Sequence, residues 1–466
     1  MLDNEIKAVI LAAGKGTRMK SSLPKVLHEI FQKTLLQRVI DSVLDSSNIQ
    51  EIFVIVGHQA EDVSEHVKKN YDNNIKTILQ EPQLGTGDAV FKAYDYLKDF
   101  KGTLLILCGD TPLIRTQTIE KFVQFHNQST SDLTVMSAIF ENPMNYGRII
   151  RNEAGFLQKI TEEKDASFEE KAVKEINAGI YCMKWEKIAP AFFELTTNNN
   201  QGEYYLTDIV DWTVKKGLKA QAFILEDNQE IFGINSRKHL AEATDFLNKR
   251  KLNELMDNGV TIIDPSSVWV SPETTIESDS IIYPGCYIDG KNQLGANNVI
   301  GPNTYINGNV TTSENVKILS SKVSDAQIAT NSTIGPFAHI RDGVILKEKV
   351  RVGNFVEIKK SEINKNTNVA HLSYVGDASL GEDVNIGAGT ITANYNALTK
   401  VKSKTVIENG VKIGSNSVLV APVTIGERAN IAAGSIITKD LPENALGITR
   451  STLKIIENWV KVAEPL

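Results

Sequence analysis

Three cysteines in 466 residues, Cys108, Cys182 and Cys286, are too few, too widely spaced and too odd in number for a disulfide framework. They read as small buried apolar residues of a protein in a reducing compartment. No apolar run approaches the roughly 18 residues that a membrane span requires. The start, Met1-Leu2-Asp3-Asn4-Glu5, also lacks the basic residues of a signal peptide. A cytoplasmic chain with no membrane insertion is therefore expected. A basic excess is missing as well: 50 Lys and Arg against 57 Asp and Glu give a formal net charge of −7. That balance argues against a general nucleic-acid binder, so any polyanion must be met by a local cluster.

The length suits two or three domains, each with its own core. Up to about residue 235, short apolar runs alternate with amphipathic stretches: IKAVILA, TLLQRVIDSVL, EIFVIVG, QAEDVSEHVKK, GTGDAVFKAYDYL, TLLILCGD. Strand and helix in alternation predict a mainly parallel, Rossmann-like sheet covered on both faces. Ligands of such sheets sit beyond the carboxyl ends of the strands, where LAAGKGT, LQEPQLGTG and LCGDTP fall. From Ser236, a possible N-cap, to Asn258-Gly259 the composition predicts one long connecting helix. The expected domains are 1–235, a linker helix 236–259, and 260–466.

Beyond that helix an aliphatic residue returns at every sixth position, first as Ile276, Ile282, Ile288, Leu294, Ile300 and Ile306. The register resumes over Ile334 to Ile358, Ile363 to Val375, Leu380 to Ile386, and Ile407 to Ile437. Glycine often follows, as in IGPNTY, VGNFVE and IGAGTI. This is the pattern of a parallel β-helix, in which each short strand turns one aliphatic inward and stacked rungs bury a core no single rung could bury. The regions 260–275 and 307–333 fit loosely, and a protruding loop is expected from Thr392 to Thr405.

The stretch LAAGKGTRMKSSLPKVLH, Leu11 to His28, carries Lys15, Arg18, Lys20 and Lys25 and no acidic residue. Gly14 and Gly16 let successive N–H groups turn toward an anion, and the cations add mobile charge, so phosphate is the expected ligand. Small Ala12 and Ala13 leave room for a flat base against the main chain. In the repeat region histidine is nearly absent, with only His339 and His371, so a zinc site of histidine ligands is excluded for want of a third.

The glycine stretch, LQEPQLGTGDAV and CGDTPL, in that order, resemble the signature of sugar nucleotidyltransferases. The six-residue repeat resembles the hexapeptide family, which implies a left-handed, three-sided parallel β-helix, usually trimeric. With NYGRI, ITEEKDA, EINAGIY, GEYYLTD, FGINSR, VAHLSYVG and NIGAGTITANYN, nearly the whole chain is similar to the bifunctional N-acetylglucosamine-1-phosphate uridyltransferase / glucosamine-1-phosphate N-acetyltransferase family.

For the N-terminal half, the resemblance implies UTP on Leu11, Ala12, Ala13, Gly14, Lys25, Gln80, Gly85 and Thr86, with Arg18 and Lys25 catalytic. It implies N-acetylglucosamine-1-phosphate on Gly147, Glu162, Asn177, Glu203, Tyr205 and Thr207, and Mg²⁺ on Asp110 and Asn235. For the C-terminal half it implies His371 as general base and glucosamine-1-phosphate on Arg341, Lys359, Tyr374 and Asn385, with Asn394 beside it. Lys400 matches less closely. Acetyl-CoA falls to Ala388, Asn394, Tyr395, Ser415, Ala433 and Arg450, in a homotrimer whose neighbouring subunits complete the site. The chain departs from the family where Asn396-Ala397 replaces Asp-Gly, in a loop about two residues longer, so a slow or altered acetyl half is one expectation. Two rivals stay open: a single-activity pyrophosphorylase with a regulatory or oligomerising β-helix, and a non-catalytic exchange-factor subunit of translation initiation.

Overall fold

The computed structural model describes residues 5–46, 49–72, 74–457 and 459. The chain divides into two compact units, Met1–Leu247 and Asn248–Leu466, and the division falls inside one helix, Arg237–Asp257. Ser236 accepts from the His239 amide at 3.2 Å, capping that helix as its sequence suggests.

The N-terminal unit is built on a nine-stranded mixed sheet. Its parallel part runs Thr103–Cys108, Ile6–Leu11, Ile49–Val56, Ile75–Leu79. Side chains alternate across these strands, so Ala8 and Ile10 enter the core on one face while Val9 enters the core on the other. The inner strands, buried on both faces over most of their length, read as largely continuous apolar runs, whereas the edge strand Ile75–Leu79 leaves Lys76 and Leu79 exposed. The long strand Glu175–Lys184 joins antiparallel to Thr103–Cys108 and Leu133–Ile139, adding the antiparallel pair Arg148–Arg151 and Leu157–Thr161. Helix Leu35–Leu44 starts from a capping box between Thr34 and Gln37. The expected helix over GTGDAVFKAYDYL is two short helices, Thr86–Phe91 and Tyr94–Leu97.

The C-terminal unit is a three-sided stack of short parallel strands, forming sheets of eleven, ten and nine. Every aliphatic of the six-residue series lies in one buried core. The loosely fitting regions are regular rungs too: 260–275 holds Thr261–Ile262, Trp269–Val270 and Thr275–Ile276, and in the second region Thr312 takes the inward place at Thr311–Thr312. The protruding loop is shorter than expected, since Ile391–Ala393 and Thr405–Ile407 are both in the stack. Between them Tyr395–Asn396 and Val401–Lys402 make a small exposed hairpin. One end of the stack is covered by the connecting helix: the Asn248 amide donates to the Val268 carbonyl at 2.8 Å and accepts from the Val270 amide at 2.9 Å, satisfying an edge strand.

Because each rung contacts only its neighbours, a mid-stack deletion is felt by two interfaces. Ile358 is fully buried between Ile340 and Val375 in register. Ile358→Ala should cost about 2–5 kcal/mol. Denaturant unfolding of the C-terminal unit, followed by loss of acetyl transfer, should show a lower midpoint; an unmoved midpoint would contradict the stacked-core account.

Candidate active sites

In the N-terminal unit, strand Ile6–Leu11 delivers the glycine loop to the carboxyl rim of the sheet. Gly16 has φ +59°, and a Cβ there would lie 2.6 Å from Cβ of Lys25, so the tight turn sets the position of the lysine. Gly14 has open space around it, and Arg18 is exposed at the rim. The Ala13 carbonyl accepts from the Gln83 amide at 2.6 Å. Gln80 is buried, donating to the Gly85 carbonyl at 2.9 Å and to Asp88 at 2.8 Å. Gly85, with φ +116°, admits no side chain: a Cβ would lie 2.6 Å from the Tyr204 carbonyl.

That close approach joins two segments more than 100 residues apart. Tyr204 donates its amide to the Leu84 carbonyl at 2.8 Å and accepts from the Gly87 amide at 2.8 Å. Leu206 N–H donates to the Thr86 hydroxyl at 3.1 Å. The candidate base loop and the candidate sugar segment Glu203, Tyr205 and Thr207 are thus one hydrogen-bonded piece.

A cleft of about 600 Å³ opens beside them, lined by Arg18, Cys108, Asp110, Gly147, Glu162, Asn177 and Asn235 among others. Lys25 Nζ pairs with the Asp110 carboxylate and lies 3.3 Å from Asn235 Oδ1. The Ile234 amide donates to the Asp110 carbonyl at 2.9 Å, bringing the two oxygen donors together. An ammonium therefore already sits between a carboxylate and an amide oxygen, which is a donor set suited to a hard divalent cation. Among the described residues no cluster of three His, Cys, Asp or Glu could hold a metal alone, so most of its ligands would have to come from phosphate and water.

Glu162 accepts from the Thr207 hydroxyl at 3.2 Å, and burial pushes its carboxyl above the ordinary range, with Asp208, Asp165 and Glu203 adding to the effect. Tyr205 donates to Asp165 at 3.2 Å. Asn177 is held by its own surroundings, donating to the Tyr181 hydroxyl at 2.8 Å and accepting from the Gly179 amide at 3.0 Å. Cys108 lines the cleft, but burial pushes its thiol up to about 12, which suits packing rather than nucleophilic attack. All three cysteines are free. The stacked rings of Phe140 and Tyr146, 5.3 Å apart, also line the cleft; Tyr146 lies within NYGRI, where the resemblance points only to Gly147, and Phe140 lies in none of the motifs.

In the C-terminal unit one corner of the prism carries a column of candidates. Main-chain bonds run from Leu372 N–H to the Asn354 carbonyl at 3.1 Å, Gly389 N–H to His371 at 3.3 Å, Asn416 N–H to Ala388 at 2.7 Å and Gly434 N–H to Ser415 at 2.8 Å. His371, Ala388, Ser415 and Ala433 thereby rise one above another although they span 63 residues of chain. On the adjoining face, Glu357 stands in register with Tyr374, and Lys359 stands in register with Gly376. Arg341 donates to Glu357 at 2.7 Å. Asn394 reaches the Tyr374 hydroxyl at 3.5 Å and is held by Asp377. Asn385 sits in register with Asn368, on the rung above it. Tyr395, Lys400 and Arg450 are exposed, and among the described residues none of their side chains bonds to the column.

Sequence reasoning missed Glu357, Asp377 and Asn354. Each pairs with a candidate one rung away, a relation carried by register and not by any contiguous motif.

Residues 7–269 match the nucleotidyl transferase family, and residues 404–439 match the bacterial transferase hexapeptide family. The chain is 47% identical over 453 residues to the bifunctional protein GlmU of Heliobacterium modesticaldum, covering 97% of each. It is 43% identical to that of Acetivibrio thermocellus, covering 98% of this chain and 97% of the relative, and 44% identical to that of Brevibacillus brevis, covering 96% and 95%. Two transferase halves in one chain displace the readings of a single-activity pyrophosphorylase and a non-catalytic scaffold, and make the three-sided stack a left-handed hexapeptide β-helix. On this identity over nearly its whole length, the chain belongs to the family of bifunctional GlmU proteins, enzymes with two transferase activities.

Proposed function

We propose that the chain makes UDP-N-acetylglucosamine from glucosamine-1-phosphate in two steps. Residues 260–466 transfer acetyl from acetyl-CoA to the 2-amino group, and residues 1–235 then transfer uridylyl from UTP to N-acetylglucosamine-1-phosphate, releasing pyrophosphate. The observation that carries this reading is the convergence of Lys25, Asp110 and Asn235 at the mouth of a cleft lined by Glu162, Asn177 and Gly147.

In the uridylyl step a sugar-phosphate oxygen attacks the α-phosphorus of UTP in line as the bond to pyrophosphate breaks. No protein nucleophile is needed, so catalysis is positioning and charge neutralisation. Leu11, Ala12 and Ala13 line the nucleotide, and the glycine-loop amides beyond Ala12, whose own N–H is taken by the Ile55 carbonyl at 2.9 Å, meet the phosphates. Arg18 and Lys25 offset charge building in the transition state, and Gln80, Gly85 and Thr86 face the uracil. Gly147, Glu162, Asn177, Glu203, Tyr205 and Thr207 hold the acetamido sugar. Asp110 and Asn235 would hold Mg²⁺, whose charge would offset that of the triphosphate.

In the acetyl step His371 takes one proton from the sugar ammonium, the neutral amine attacks the thioester carbonyl, and as the C–S bond breaks the nitrogen's second proton passes to the departing sulfur, so coenzyme A leaves as thiol. Ala388 N–H faces the developing oxyanion, while Arg341 and Lys359 meet the sugar phosphate. Tyr374, Asn385 and Asn394 orient the sugar; Tyr395, Ser415, Ala433 and Arg450 line the coenzyme groove. The hexapeptide stack suits a homotrimer, with neighbouring copies closing each groove. No helix among the described residues is long and apolar enough to cross a membrane, and both co-substrates are cytoplasmic metabolites, where we place the reaction.

The test supplies glucosamine-1-phosphate, acetyl-CoA, UTP and Mg²⁺ together and omits each in turn. Without UTP, N-acetylglucosamine-1-phosphate should accumulate; with a chelator in place of Mg²⁺, acetylation should continue and pyrophosphate release should stop. Sugar-nucleotide formation with no acetylated intermediate would overturn the two-step reading.

A further inference from the structure

Neutral imidazole has one nitrogen that donates and one that accepts, and a base must present the lone pair to the substrate. His371 Nδ1 lies 2.9 Å from Asn354 Oδ1. An amide oxygen only accepts, so with Oδ1 placed toward the ring the proton sits on Nδ1 and the lone pair on Nε2. We infer that Asn354 is a positioning residue of the acetyl site, fixing the tautomer of His371 so that Nε2 faces the amine to be deprotonated.

The contact is built into the backbone. Asn354 and His371 are register partners on adjacent rungs, and Leu372 N–H also bonds the Asn354 carbonyl at 3.1 Å. A Cβ on Gly353 would lie 1.9 Å from the Ala370 carbonyl, so the rungs approach here as only glycine allows, seating Asn354 against the ring. From the other side the His371 carbonyl is held by the Ser373 hydroxyl at 2.8 Å and by Gly389 N–H. The groups facing His371 are thus the Asn354 amide below and the Ala388–Gly389 main chain above; among the described residues no charged side chain hydrogen-bonds or ion-pairs with it. A neutral partner orients the ring without adding a charge that would hold the proton on it.

The inference rests on His371 being the base. In full-length protein labelled with ¹⁵N-histidine, His371, identified by its loss in His371→Ala, should show the Nδ1–H tautomer. Asn354→Leu should move that signal toward the Nε2–H form and lower kcat for acetyl transfer about tenfold or more, with KM for sugar and acetyl-CoA little changed. Asn354→Asp should keep the tautomer and move the acid limb of kcat/KM up by about one pH unit. Uridylyl transfer in the same preparations should be unaltered, and the retained KM for acetyl-CoA and sugar reports that the C-terminal stack is folded. An Nε2–H signal in the parent protein, or an unmoved tautomer in Asn354→Leu together with an unmoved acid limb in Asn354→Asp, would overturn the inference. Acetyl transfer surviving in His371→Ala would instead overturn the assignment of the base.

Discussion

Lys25→Ala should lower kcat for uridylyl transfer by about 10²- to 10³-fold, the effect typical of removing one pre-positioned donor of a transition-state site. The cation is held ready on the substrate side of the sheet: Pro24 leads into the short turn Lys25–Leu27, Gly16 leaves room only for the lysine stem, and Nζ lies between Asp110 and Asn235. On the proposed function Asp110 and Asn235 would hold the metal and the Lys25 ammonium would be released to the phosphates, so the same three groups would serve the loaded site in a new pairing. Because charge on the leaving pyrophosphate grows in the transition state, the loss should appear in kcat, with KM for N-acetylglucosamine-1-phosphate within about threefold of the parent. A purely structural role for the ion pair predicts another result: a lower melting temperature and weaker binding of both substrates, with turnover of the bound complex retained. Steady-state kinetics beside a thermal melt separate the two. Acetyl transfer by the same variant should be normal.

The two halves were legible in the sequence to different depths, for a physical reason. In the repeat region, burial itself is periodic. Each of Ile276 through Ile437 in the series faces one core, so spacing alone identified the inward residues. The period could not show that Thr312 substitutes for an aliphatic, since a hydroxyl satisfied by neighbouring main chain and side chains is tolerated inside. In the N-terminal half, the inner parallel strands Ile6–Leu11, Ile49–Val56 and Thr103–Cys108 betray themselves by their apolar runs, VIL, IFVIV and LLILC. The antiparallel pair Arg148–Arg151 and Leu157–Thr161 does not, because Arg148 and Arg151 hold carboxylates, Glu163 and Glu175, within a sheet that otherwise reads as apolar. The candidate site follows the same division. The glycine loop and Asp110 announce themselves as strand exits, whereas Asn354, Glu357 and Asp377 act across rungs, 17, 16 and 17 residues from their partners. That interval is recoverable only once the short five-residue side of the prism, as between Ile358 and Ile363, is known.

His371→Ala should abolish acetyl transfer at neutral pH, with kcat falling about 10²- to 10⁴-fold, as expected for loss of a general base. The column above the histidine explains why nothing else on the corner can replace it. Ala388, Ser415 and Ala433 present main chain and small side chains, and Asn354 below is an amide that cannot take a proton near pH 7. The amine of glucosamine-1-phosphate must then lose its proton to water before it attacks. Residual activity of the variant should therefore climb with pH as solution supplies more free amine, while the parent enzyme flattens once its imidazole is neutral. A role limited to packing or sugar binding would instead scale the whole profile down and leave its shape unchanged. Uridylyl transfer from UTP to supplied N-acetylglucosamine-1-phosphate should continue at the parent rate, since the residues proposed to carry it all lie before residue 236. Acetyl transfer that stays within a few fold of the parent at pH 7 would remove His371 from the chemistry and leave this corner with no other group to serve as base.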